Sequence, residues 1–160
     1  RRSPTAWRRA NSPQELARDV WRAMNTEPPL IRILAVDDHP RFRDGIAALI
    51  SIAPDMQLVG ACSDGREAIE QFRALRPDVT LMDLQMPVMS GLEAIAAIRG
   101  ECPDARLIVL TTYAGDVEVV RAFKAGASAF LVKNLAHQEL LDTIRSVHRG
   151  QKVISPRGLE

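Results

Sequence analysis

Leu30-Ile31-Arg32-Ile33-Leu34-Ala35-Val36-Asp37-Asp38 opens the part of the chain that decides its fold. Residues 31–36 are a short run rich in branched aliphatics with little apolar–polar alternation, the pattern of a strand buried on both faces. Four runs of the same kind follow, at 57–62, 79–82, 107–110 and 129–132. Between them, apolar residues recur at helical spacing. The sets are Phe42, Ile46, Leu49, Ile50 and Ala53; Ala68, Ile69 and Phe72; Leu92, Ile95 and Ala96; Val119, Val120 and Phe123; and Leu140, Leu141, Ile144 and Val147. Gly126 and Gly150 stand where helices end on a left-handed residue. Five strands alternating with five helices predict an α/β fold with a doubly wound parallel sheet, because every parallel return needs a crossover. The common strand order 2-1-3-4-5 is expected, with ligands bound beyond the carboxyl ends of the strands at the switch point.

Composition agrees with one ordinary globular domain. The chain has 160 residues, of which 46% are apolar, 4% aromatic and 26% charged, which argues against disorder, collagen or coiled coil. Cys62 and Cys102 cannot build a disulfide framework, and no Cys-x-x-Cys pair suggests zinc. The longest near-apolar stretch, 45–53, is far short of the roughly 20 residues of a membrane helix. No secretory signal is visible, so a soluble cytoplasmic protein without membrane attachment is expected. The net charge of +1 averages unlike segments. Residues 1–30 carry six arginines against Glu15, Asp19 and Glu27, whereas 31–149 carry an excess of acids. An acidic central domain is a poor nucleic-acid surface.

Outside that domain the pattern is weaker. Residues 1–11 have no period and read as flexible. Ser12-Pro13-Gln14-Glu15 is a helix start with cap, first-turn proline and capping box. Leu16, Val20, Ala23 and Met24 continue it, predicting a short helix over 12–24 that Pro28-Pro29 ends. The extension 1–29 reads equally as dispensable. The main domain spans 30–150, and 151–160 reads as the start of a linker.

Polar residues end four of the predicted strands: Asp37-Asp38 the first, Asp83 the third, Thr111 the fourth and Lys133 the fifth. In the expected order they share one rim. Two carboxylates about 4 Å apart repel by roughly 4 kcal/mol at an effective dielectric near 20, so the cluster needs a cation. Mg²⁺ takes carboxylate oxygens plus phosphate and water, and Lys133 supplies a flexible point charge. Three acids, a lysine and a hydroxyl therefore read as a site for Mg²⁺ and a phosphoryl group, with a carboxylate as the nucleophile and Thr111 as a donor to phosphoryl oxygen.

At this point the chain resembles a known family. Val36-Asp37-Asp38, then Met82-Asp83-Leu84-Gln85-Met86-Pro87 with Gly91, then Leu110-Thr111-Thr112, then Ala125-Gly126-Ala127-Ser128-Ala129-Phe130-Leu131-Val132-Lys133 are similar to the receiver domain of bacterial two-component response regulators. The final Gly150-x-x-Val153-Ile154-Ser155-Pro156 resembles the NarL/FixJ class, and about three quarters of the chain is covered. The resemblance implies a flavodoxin-like fold in which Asp83 takes a phosphoryl group from a histidine kinase. It also implies that Asp38, Asp83 and the Gln85 backbone carbonyl ligate Mg²⁺, with Asp37 holding a metal-bound water. Lys133 would pair with phosphoryl oxygens, Thr111 would move toward them, and Phe130 would swing inward as an aromatic switch. Gln85 and Tyr113 would line the mouth and tune hydrolysis. A phosphorylation-modulated homodimer is implied as well, and DNA binding only through a helix-turn-helix domain absent from this chain. One departure stands out: family members commonly carry proline after the lysine, often cis, and here Asn134 follows.

Taken alone, Phe130 is a core residue and Cys62 a small buried hydrophobe. His39 reads as a solvated loop residue, because its carboxylate neighbours already suit an oxygen-loving cation. An aspartyl phosphohydrolase would want Asp-x-Asp at Asp83, which is lacking. A phosphorylation-independent interaction module sits poorly with the intact set Asp37, Asp38, Asp83, Thr111 and Lys133.

Overall fold

The computed structural model describes residues 12–25, 28–112 and 115–154. The chain begins with α1 (Pro13–Asn25) and then alternates: β1 (Ile31–Val36), α2 (Pro40–Ile52), β2 (Met56–Cys62), α3 (Gly65–Leu75), β3 (Val79–Met82), α4 (Gly91–Glu101), β4 (Leu107–Thr111), α5 (Asp116–Ala125), β5 (Ala129–Val132), α6 (His137–His148) and β6 (Val153–Ile154). The strands form one parallel sheet in the order β2-β1-β3-β4-β5-β6. Its first five members keep the expected order.

The sixth strand corrects the expected five. Val153 and Ile154, read from sequence as linker, pair with Ala129 and Phe130 of β5. Two residues carry no periodicity, so only the neighbouring strand reveals them. Gly150, at φ 87, supplies the left-handed turn that carries the chain out of α6 toward that pairing.

Both sheet faces are covered, which is why the strands lack alternation. Ile33, Ala35, Leu81, Ile108 and Leu131 pack beneath α2 and α6. Leu34, Val36, Met82, Val109 and Phe130 pack beneath α3, α4 and α5. The helical sets are largely those the spacing indicates, with two exceptions. Ala96 and Val120 are exposed, and Ala94, Ile98 and Ala122 are buried instead. At about 100° per residue, a position two steps from Ala94 or Ala122 is turned away from the contact face.

The capping box of α1 forms as expected: Ser12 Oγ accepts from the Glu15 amide at 3.2 Å, and Glu15 Oε2 accepts from the Ser12 amide at 2.8 Å. Yet α1 buries none of its own residues, and Leu16, Val20, Trp21 and Met24 face solvent. The reading of residues 1–11 lies outside the described residues.

Candidate functional site

Backbone pairing carries the polar residues one step past the sheet. The Asp37 amide donates to Cys62 O at 3.0 Å, the Asp83 amide to Val36 O at 2.9 Å, and the Lys133 amide to Thr111 O at 2.7 Å. Residues that end neighbouring parallel strands thus emerge on the same rim, and their side chains converge.

Lys133 Nζ lies 2.6 Å from Asp37 Oδ2 and 3.1 Å from Asp83 Oδ2, and its side chain is mostly covered. The ammonium also sits 4.4 Å from the centroid of the Phe42 ring, which shields it from one side. Arg43 donates to the Asp37 carbonyl oxygen, and the His39 amide donates to Asp37 Oδ1 at 2.9 Å. Asp37 is therefore held on three sides. Burial pushes the Asp83 carboxyl above the ordinary carboxylate range, and the charge of Asp37 adds to that; the Lys133 hydrogen bond and charge pull it back only in part.

Asp38 Oδ1 is buried and accepts no hydrogen bond, with the His39 ring nitrogen Nδ1 3.1 Å away, and a buried carboxylate oxygen without a hydrogen bond costs free energy unless something satisfies it. Ligand atoms of Asp37, Asp38, His39 and Asp83 all lie within 4.8 Å of one another. Hard carboxylate oxygens crowded around an unsatisfied one fit a divalent cation such as Mg²⁺.

The loop from β3 to α4 closes the site from below. The Gly91 amide donates to Leu84 O at 2.9 Å, and a Cβ at position 91 would lie 2.0 Å from the Asp83 carbonyl oxygen. No side chain fits there, so Gly91 keeps this loop against the strand end that carries Asp83. Val88 bears a left-handed φ of 68 while exposed, a strained state for a β-branched residue. Ser90 Oγ accepts from the Glu93 amide and starts α4.

Of the remaining candidates, Thr111 is buried at the end of β4, in register with Val132. Phe130 is 1% exposed and lies in the core on the α5 side, so its inward position is the one seen. Gln85 is exposed on the loop after Asp83. Tyr113 lies outside the described residues. Lys133–Asn134 is a trans peptide, and the turn is closed by the Leu135 amide donating to Val132 O at 3.2 Å. Sequence reasoning missed three participants, Phe42, Arg43 and His39. Phe42 signals nothing beyond a helix core position. His39 has one signal, adjacency to the acid pair, and that fits a solvated loop residue equally well.

Residues 33–145 match the family described as response regulator receiver domain. The chain belongs to the response regulator receiver family. VraR, a response regulator protein of Staphylococcus aureus, is 37% identical over 129 residues, covering 81% of this receiver and 62% of that protein. A LuxR-family two-component response regulator from Aurantimonas sp. SI85-9A1 superposes with a TM-score of 0.78 at 35% identity, over 81% of this chain and 92% of that one. The signal receiver domain of a Mycobacterium tuberculosis response regulator named NarL superposes with a TM-score of 0.74 at 33% identity, over 78% of this chain and all of that one. The chain is thus a receiver of the LuxR/NarL kind, and it spans 62% of the length of the curated relatives it matches. Receivers bind Mg²⁺ at their acidic pocket, and this one carries the acids for it. Among the described residues no helix is long and apolar enough to cross a membrane.

Proposed function

We propose that this receiver is a phosphoacceptor switch in which Asp83 takes a phosphoryl group from a histidine kinase. The observation that carries the reading is the placement of Asp83: buried at the end of β3, 3.1 Å from Lys133 Nζ and beside the unsatisfied Asp38 oxygen. An Asp83 carboxylate oxygen attacks phosphorus, a P–O bond forms, and the P–N bond to the donor imidazole breaks, the imidazole leaving with a proton from solvent. Lys133 stabilises the negative charge on the transferred oxygens. Asp38, Asp83 and the Gln85 carbonyl would hold Mg²⁺, with Asp37 orienting a water on it; when bound, the cation neutralises charge on the phosphoryl group.

The product adds roughly −1.5 to −2 charges at the rim. Thr111, one residue from the loop before α5, donates to the new oxygens, and Phe130 holds its inward position behind it. Together they bias the α5–β5 face and with it homodimer contacts. Reversing a 1:99 equilibrium requires about 5.5 kcal/mol of preference for one state. Gln85 and Tyr113 tune the lifetime. The protein to which this receiver belongs is proposed to be a cytoplasmic transcription regulator that reaches DNA through a further domain, and the receiver itself is not expected to turn over substrates as an enzyme.

Incubation with acetyl phosphate and Mg²⁺ followed by intact mass measurement tests the assignment. One phosphoryl group is expected on the wild-type chain and none on Asp83→Asn; a mass gain that persists in Asp83→Asn overturns it.

A further inference from the structure

No residue of α1 is buried, yet the helix has two unlike sides. At about 100° per residue, Leu16, Val20, Trp21 and Met24 fall within one arc of about 140°. Gln14, Glu15, Arg18, Asp19, Arg22 and Asn25 occupy the opposite side. The four large apolar side chains are 52–79% exposed. A contiguous apolar stripe left in water marks an interaction surface.

Charge identifies what covers it. Within α1, Arg18 and Arg22 balance Glu15 and Asp19, so the helix itself is neutral. Residues 1–9, just before it, hold four arginines and no acid, with Trp7 among them. An apolar stripe bearing Trp beside a basic segment is the composition of a helix that lies in a bilayer interface. A nucleic-acid backbone would use the arginines and leave the stripe wet. An anionic bilayer uses both.

We propose that residues 1–25 are a peripheral membrane-binding segment. The stripe of α1 enters the headgroup boundary, and the arginines of 1–9 meet the anionic headgroups. Neither signal suffices alone: the stripe is short, and each basic residue near the surface adds only a modest attraction. The 13 residues of α1 span about 20 Å, so the helix lies along a bilayer and does not cross it. Residues 26–30 join it to β1 at Ile31, the amino end of the sheet. Asp37 lies about 20 Å further along that strand, so the attachment is opposite the acidic rim and leaves it uncovered.

The test uses the full 160-residue chain, sedimented with vesicles of phosphatidylcholine alone or mixed equally with phosphatidylglycerol. Wild type is expected to bind the mixed vesicles at least about tenfold more tightly than the neutral ones. Trp21 emission, isolated by Trp7→Phe, should shift to the blue on binding. Val20→Glu, at the centre of the stripe and exposed, should fold and lose binding. Arg8→Gln combined with Arg9→Gln should weaken binding at least about tenfold. Failure of wild type to bind the mixed vesicles, or equal binding to both kinds, overturns the proposal. Wild-type binding by Val20→Glu overturns it too, since charge alone would then account for the attraction. A preference of wild type for a random-sequence DNA duplex over the mixed vesicles assigns the segment to nucleic acid instead. A lower melting temperature of Val20→Glu without lipid would show that the receiver itself covers the stripe, which overturns the proposal as well.

Discussion

Asp83 is the residue at which the fold works against itself. Its carboxyl holds a proton more tightly in the folded chain than in the unfolded one, chiefly through burial. Stability tied to such a group is full below the ordinary carboxylate value and lost as pH rises through the raised one. Asp83→Asn removes that loss while Asp37 keeps Lys133 paired at 2.6 Å. The variant is therefore expected to melt higher than wild type at pH 7.5, with the gap closing as pH falls through the carboxylate range. Thermal melts at a series of pH values check this; a variant that melts lower at pH 7.5 contradicts it. The positions of Asp37, Asp83 and Lys133 were legible because strand ends in a parallel sheet converge whatever the intervening residues. The ring of His39 was not, because its direction depends on a rotamer and on the absence of a capping bond, which no spacing encodes.

Among the elements, the β3–α4 connection shows why a motif needs its glycine. Gly91→Ala would place a methyl group 2.0 Å from the Asp83 carbonyl oxygen. The backbone must shift, at a cost of about 3 kcal/mol, and Asp83 shifts with it. Urea denaturation should show that loss, together with loss of phosphoryl uptake. Gly45, in the middle of α2 with nothing near its missing Cβ, is the contrast: Gly45→Ala should stabilise by about 0.5–1 kcal/mol with uptake unaltered. If the two variants behave alike, close approach at Gly91 is not what the motif preserves. At this scale the sequence was most readable where apolar runs were bounded by turn residues: β1, β3 and β5 have the expected limits, β2 begins one residue earlier and β4 ends one later. Helix faces were readable to within a residue or two, as Ala96 and Val120 show, because a stripe of small residues leaves its centre undefined.

The whole molecule is an acidic domain with a basic extension. The α1 helix has its capping box but buries no residue, so removal of residues 1–27 should change folding free energy by no more than about 0.5 kcal/mol. A larger loss in denaturant titration would mean that the helix packs in solution. The short β6 has a different bearing. An open sheet ends in rows of unpaired amides and carbonyls that can recruit another chain. Here β6 stands beyond β5, whose four residues, Ala-Phe-Leu-Val, include three that are fully buried. A chain cut at Gly150 would leave that apolar strand as a template for its neighbours. Light scattering on the truncated form should rise with concentration while the uncut chain stays monodisperse. Two residues after the last helix thus cover the first half of that edge, Ala129 and Phe130.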